Sequence, residues 1–223
     1  MEMIELKNIT KRFIVEKKSF YVLKDVSLTL SNHGFIVIEG ASGSGKSTLL
    51  KILAGLLLPT SGKYFYRGSS LYNNKYQLAN FRNQEVGMLF QNYQLVSSLT
   101  PLENVAFPLL IRRRTLKEAK EQATILFKRF HLEHKMESPI DTLSGGEKQR
   151  VAFLRALIVN PSFLLCDEPT GALDEGNARL LLETLKETSK EKLVIVVTHN
   201  PMIFPLYGDK RYILKEGELY EDE

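Results

Sequence analysis

The run Gly40-Ala41-Ser42-Gly43-Ser44-Gly45-Lys46-Ser47 constrains this chain more than any other feature. It fits G-x-x-x-x-G-K-[ST], in which glycines let successive backbone N–H groups turn inward on a polyphosphate. Before it stands Phe35-Ile36-Val37-Ile38, a short β-rich apolar run, and after it residues 48–57 are helix-compatible and apolar nearly all round. Strand, glycine loop and buried helix form the context this motif requires, and a flexible surface turn fits it poorly. Gly40, Ser42, Gly43, Ser44, Gly45, Lys46, Ser47 and Thr48 are therefore candidate nucleotide contacts. The helix start adds a positive dipole end, Lys46 a point charge for β- and γ-phosphates, and the Ser47 hydroxyl a hard oxygen suited to Mg²⁺.

The alternation continues downstream. Residues 163–166 read as a buried strand, 176–189 as a helix and 193–197 as a strand, which predicts an α/β fold with a mostly parallel sheet covered on both faces. Residues 4–6, 21–23, 26–30 and 63–67 look like half-buried strands of an antiparallel layer near the nucleotide end. Residues 93–159 differ, with helical patterns at 116–131 and 147–159 and no obvious strand. They are expected to form a helical lobe inserted into a core of residues 1–92 and 160–223, all within one domain of 1–223. A hairpin turning at Glu216-Gly217 is expected to finish the chain, with no room for a further domain.

Charge narrows the function. Lys plus Arg number 30 against 26 Asp plus Glu, so the net charge of +4 is too small to make a charge-driven nucleic-acid binder the default. Cys166 is the single cysteine, excluding an intrachain disulfide, and the acidic start Met1-Glu2-Met3-Ile4-Glu5 is unlike a basic signal peptide. A cytosolic location is expected. Apolar runs such as 106–111 and 193–197 fall far short of the ~20 residues of a membrane helix, so work at a membrane would need another chain to span it.

Two further segments carry chemistry. Asp167-Glu168 ends the apolar run 163–166, at the carboxyl end of a strand where open α/β sheets hold ligands. Asp167 would hold Mg²⁺ through its waters, and Glu168 would serve as general base or orient the attacking water. A solvated acidic turn is the plainer reading. At Leu143-Ser144-Gly145-Gly146-Glu147, Ser144 and Glu147 make a capping box, and the glycines leave N–H groups open as a second anion site. A capped helix without ligand is the alternative there.

Residues 143–149 resemble the signature loop of ATP-binding cassette (ABC) ATPases, and the family's other marks follow in order along almost the whole chain. Gln91, after the apolar run 86–90, matches the glutamine loop; Ala172-Leu173-Asp174 matches the loop after the catalytic acid; His199 matches the switch histidine. The resemblance implies a P-loop NTPase core working as a head-to-tail dimer, of two copies or of two related ATPase subunits, with two ATP molecules between them. Each ATP would be held by one glycine loop and capped by Ser144 and Gly146 of the other subunit, with Asp174 reaching across. Lys46, Glu168 and His199 would be catalytic, and Gln91 would sense the γ-phosphate or Mg²⁺ beside Ser47 and Asp167. Phe13 matches the aromatic position that stacks on adenine, although an ordinary place in the first sheet would also explain it.

Residues 91–110 look like the branch containing lipoprotein-releasing, macrolide- and peptide-exporting and cell-division ATPases. The resemblance thus implies an ATP-hydrolysing subunit on the cytoplasmic face of the cell membrane, coupled to an integral-membrane permease in a transporter or mechanotransmission complex, with no nucleic-acid partner. Leu95, Val96 and Leu99 suit either a permease groove or the core, and Arg112-Arg113-Arg114 reads as a solvated loop. A DNA-repair ATPase of the family would need a long insertion, which the spacing from Lys46 to Ser144 excludes, and a P-loop kinase would need neither Ser144-Gly-Gly146 nor His199.

Overall fold

The structure, a computed structural model, describes residues 2–16, 18–73 and 75–222, the side chains of residues 73, 75 and 76 excepted. In chain order the elements are β1 (Glu2–Val15), β2 (Lys18–Ser31), β3 (Gly34–Glu39), α1 (Lys46–Leu53), β4 (Ser61–Tyr66), β5 (Ser69–Ser70), α2 (Lys75–Glu85) and β6 (Val86–Leu89). There follow α3 (Pro101–Ile111), α4 (Leu116–Arg129), α5 (Gly145–Leu157), β7 (Phe163–Asp167), α6 (Glu175–Ser189), β8 (Leu193–Thr198), α7 (Ile203–Tyr207), β9 (Lys210–Lys215) and β10 (Glu218–Asp222). A six-stranded sheet has the order β10-β9-β3-β8-β7-β6, parallel from β9 to β6, and a four-stranded sheet, β2-β1-β4-β5, is antiparallel. The expected α/β architecture with its antiparallel layer is the one found.

The continuous apolar strands are explained by burial on both faces. Phe35, Val37, Leu164, Cys166, Val194 and Val196 join one core with α3 to α6, whereas Ile36, Ile38, Leu165, Ile195 and Val197, offset by one residue, join another with β1, β2 and α1. Because β3, β8 and β7 are parallel neighbours, their carboxyl ends lie together at one edge, where Gly40, Asp167 and Thr198 follow or end their strands. The β9–β10 turn carries Glu216 at φ 52° and Gly217 at φ 86°, two consecutive left-handed residues as a two-residue hairpin requires.

Local differences from the sequence reading have physical reasons. The strands expected at 4–6 and at 21–30 are parts of two 14-residue strands, β1 and β2, because cross-strand pairing extends them past the core, with register shifts on the way. The helix expected at 48–57 begins at Lys46 and ends at Leu53. Helix α2 is polar and has no apolar stripe to announce it, whereas the start of α3 is written in Pro101 at its first turn and a capping box between Thr100 and Glu103. Between β6 and β7 the described residues form helices and no strand, with α3 packed on α4 and α5. Arg113 and Arg114 are exposed as expected, but Arg112 is not a free loop residue. Its guanidinium donates to the carbonyl oxygens of Asn83 and, at 2.8 Å, Val159, tying the end of α3 to α2 and to the segment after α5.

Candidate functional site

Lys46, the first residue of α1, is only 7 % exposed and donates from Nζ to the Gly40 and Ala41 carbonyl oxygens at 2.7 and 3.0 Å. The loop it closes depends on Gly45, which takes φ 106° and whose Cβ, were one present, would lie 2.8 Å from the Val22 carbonyl oxygen. A side chain there would be both strained and crowded. Next in the chain, Ser47 Oγ donates to Asp167 Oδ1 at 3.2 Å. Desolvation, reinforced by the neighbouring Glu168, raises the Asp167 pKa above its ordinary value despite the lowering influence of Ser47, Lys51 and Lys46.

Glu168 follows β7 with φ 44°, a left-handed conformation unusual for a residue with a side chain. Its N–H donates to the Val197 carbonyl at 3.0 Å, which holds that backbone against β8. The carboxylate is grasped from three sides. Oε2 accepts from Thr198 Oγ1 at 3.0 Å and from the His199 N–H at 3.3 Å, Oε1 lies 2.9 Å from His199 Nδ1, and Lys46 Nζ stands 3.8 Å from the same oxygen. The Glu168 side chain is 13 % exposed, while that of His199 is 66 % exposed, so the imidazole covers the acid from the solvent side. Together Ser42, Gly43, Gly45, Lys46, Ser47, Thr48, Gln91, Asp167, Glu168 and His199 line one cavity of about 460 Å³. Val22 lines it too and was missed in the sequence, since a valine in a strand carries no chemical signal.

Not every candidate reaches that cavity. Ser44 turns inward, its Oγ buried and 2.6 Å from where a Gly40 Cβ would sit. Phe13 lies on β1 opposite Phe20 of β2, partly exposed, with Lys11 Nζ 5.1 Å from its ring centroid. Ser144 caps α5 by accepting from the Glu147 N–H at 3.2 Å, while Glu147 accepts from the Ser144 N–H at 2.8 Å. Asp174 caps α6, accepting from the Asn177 N–H at 3.0 Å and from its Nδ2 at 2.6 Å. Asn177, another residue the sequence did not single out, joins these two helix starts: a Cβ on Gly146 would fall 2.4 Å from its Cγ. Gln149 adds a second link, donating from Nε2 to the Pro169 carbonyl at 2.8 Å from a fully buried position.

Comparison with known proteins places this geometry. Residues 23–171 match the family described as ABC transporter. The chain belongs to the ABC transporter family. It is 39 % identical over 225 residues to the lipoprotein-releasing system ATP-binding protein LolD of Desulfotalea psychrophila, with all of both chains covered. It is 38 % identical to the uncharacterised ABC transporter ATP-binding protein YvrO of Bacillus subtilis, over 99 % of this chain and 97 % of that one. Among solved structures, the ATP-binding cassette MJ0796 of Methanocaldococcus jannaschii, a dimer in a post-hydrolysis state bound to ADP and Pi, superposes with a TM-score of 0.91 at 35 % identity, covering 99 % and 98 % of the chains. The cassette is thus the ATP-binding subunit of an ABC transporter and an ATPase. Among the described residues no helix is long and apolar enough to cross a membrane.

Proposed function

We propose that this chain binds MgATP, pairs head to tail with a second copy or a related ATPase subunit, hydrolyses the nucleotide, and drives an integral-membrane permease from the cytoplasmic face of the cell membrane. The observation that carries this reading is the hold on Glu168: Thr198, His199 and Lys46 surround its carboxylate beside the Asp167–Ser47 pair. Such a carboxylate has fixed orientation before substrate arrives, which is what a group that orients water or takes its proton needs.

The residues divide the work by position. The backbone N–H groups of Gly43, Gly45, Lys46, Ser47 and Thr48 would cradle the phosphates at the start of α1, with Gly40, Ser42 and Ser44 shaping the loop. Lys46 would exchange its two carbonyl bonds for charge-assisted bonds to phosphate oxygens, at little conformational cost because it already sits at the loop mouth. Ser47, Asp167 and Gln91 offer hard oxygens on one side of the cavity, and the desolvated Asp167 carboxylate would be stabilised by a divalent cation there, so the site fits Mg²⁺. When bound, Mg²⁺ would supply positive charge that offsets the phosphate charge. Glu168 would then accept the proton of the attacking water or aim it, while His199 keeps that carboxylate and the γ-phosphate in register. Phe13 would stack on the adenine.

Ser144, Gly146 and Asp174 would complete the site of the partner subunit, and residues 93–159 would move as a lobe against 1–92 and 160–223, passing hydrolysis to the permease. The similarity to LolD over the full chain supports the branch of lipoprotein-releasing, macrolide- and peptide-exporting and cell-division ATPases.

The test is Glu168→Gln. Turnover should fall about 10³-fold, within the usual range for loss of a general base, with ATP affinity kept. The mutant should elute as a dimer with MgATP and as a monomer with MgADP when followed by light scattering. A mutant that binds ATP tightly yet stays monomeric would overturn the head-to-tail site, and wild-type turnover would overturn the role of Glu168.

A further inference from the structure

Arg155 lies on α5, and its guanidinium reaches back to the segment after Gln91. It donates from one terminal nitrogen to the Gln94 carbonyl at 2.5 Å and from the other to the Tyr93 carbonyl at 2.7 Å. Burial lowers its pKa, and no carboxylate offsets that desolvation. A half-buried cation that directs two of its donors at backbone carbonyls is costly to keep unless those carbonyls must be held. They have unusual geometry: Tyr93 and Gln94 are both left-handed, at φ 55° and 49°.

The same segment touches α5 a second time. The Tyr93 side chain runs to the start of the helix, where its Oη lies 3.1 Å from the position a Gly145 Cβ would take. Tyr93 therefore touches α5 at its beginning, next to Ser144 and Gly146, and residues 93 and 94 are both held by Arg155 in its second half. Two residues upstream, Gln91 lines the cavity, with Nε2 3.4 Å from where a Gly171 Cβ would sit.

We infer that Arg155 is a positioning residue that fixes the segment after Gln91 to α5, so that a displacement of Gln91 on nucleotide binding moves Ser144 and Gly146 as one body with it. This rests on the reading of Ser144 and Gly146 as the cap of the partner's nucleotide. The planar guanidinium suits the task because its two terminal nitrogens reach both carbonyls at fixed spacing, which a single ammonium does not.

The experiment compares Arg155→Lys and Arg155→Gln in the Glu168→Gln chain. Three quantities are read: MgADP affinity, which needs no dimer; the protein concentration at half-dimer under saturating MgATP; and the melting temperature. MgADP affinity should stay within twofold of the Glu168→Gln parent, while the half-dimer concentration rises at least tenfold for Arg155→Gln and less for Arg155→Lys. Unchanged dimerisation in both variants overturns the inference. A parallel fall in melting temperature and MgADP affinity also overturns it, since that marks a residue that merely supports the fold. Should Arg155→Gln fail to fold, Arg155→Lys decides by the same readings. A Glu168→Gln parent that never dimerises refutes the head-to-tail reading itself and is seen before either Arg155 variant is made.

Discussion

The cavity around Lys46 and the helix starts at Ser144 and Asp174 satisfy their polar groups in different ways. At the cavity, groups far apart in the sequence meet: Ser47 bonds Asp167 across 120 positions, and Glu168 is held by Thr198 and His199 from another strand. At the helix starts the capping bonds are local, Ser144 with Glu147 and Asp174 with Asn177, and an ion pair, Lys135 with Glu147 at 3.1 Å, comes from the segment just before α5. The cavity concentrates opposite charges in partly desolvated space, where they strengthen one another. The helix starts stand at the surface with Ser144 and Asp174 exposed, each with a carboxylate of its own, Glu147 or Asp174, in the cap. A chain with one concentrated site and one outward-facing cap suits a composite site made by two chains, and this difference can be attacked directly.

The largest effect should come from the cavity. In the proposed site Lys46→Ala would remove a charge facing phosphate in ground and transition states alike, so ATP affinity and hydrolysis should fall together, affinity by about a hundredfold or ~2.7 kcal/mol. Calorimetric titration checks this, and unchanged affinity would remove Lys46 from the phosphate site. An intermediate effect is expected at the helix starts. Gly146→Ala places a Cβ 2.4 Å from Asn177 Cγ, and Asn177 is not free to yield because its Nδ2 bonds Asp174 Oδ2 at 2.6 Å. Dimerisation of the Glu168→Gln chain on MgATP should weaken about tenfold, ~1.4 kcal/mol, with MgADP affinity untouched. Adding Asn177→Ala makes room and should restore part of the dimer; no restoration would place the damage elsewhere.

The smallest effect tests whether the α5 cap is only a local device. The Ser144 N–H, more than any other group, lowers the Glu147 carboxyl below its ordinary 4.5. A depressed folded pKa contributes stability that is complete above the unfolded value and disappears as pH falls through the folded one. Glu147→Gln should therefore lower the melting temperature by about 2–4 °C at pH 7, and the gap to wild type should close as the pH drops below 4.5. A gap that persists in acid would show that the carboxylate charge is not what Ser144 holds.

Much of this site was legible because its chemistry is written in contiguous residues. The glycine loop, the Asp-Glu pair and the Ser144–Glu147 box each carry their chemical groups and spacing within eight positions, and the apolar runs before the first two announce the strands that present them. The element bounds were less legible, because β1 and β2 owe their outer halves to pairing with each other rather than to burial.

The sequence by itself determined the phosphate loop, the acidic strand end and the capped helix, since local hydrogen-bonding patterns and hydrophobic periodicity depend on near neighbours. Only the tertiary structure decided that Val22 walls the cavity, that Arg112 joins α3 to residues 29 and 47 positions away, that Asn177 wedges against Gly146, and that Arg155 clamps carbonyls 61 and 62 positions upstream. In each case the partner is a backbone group or an unremarkable side chain. Every residue type carries such groups, so their identity is silent in the sequence, and only the packing of the sheet against the helices selects which of them meet.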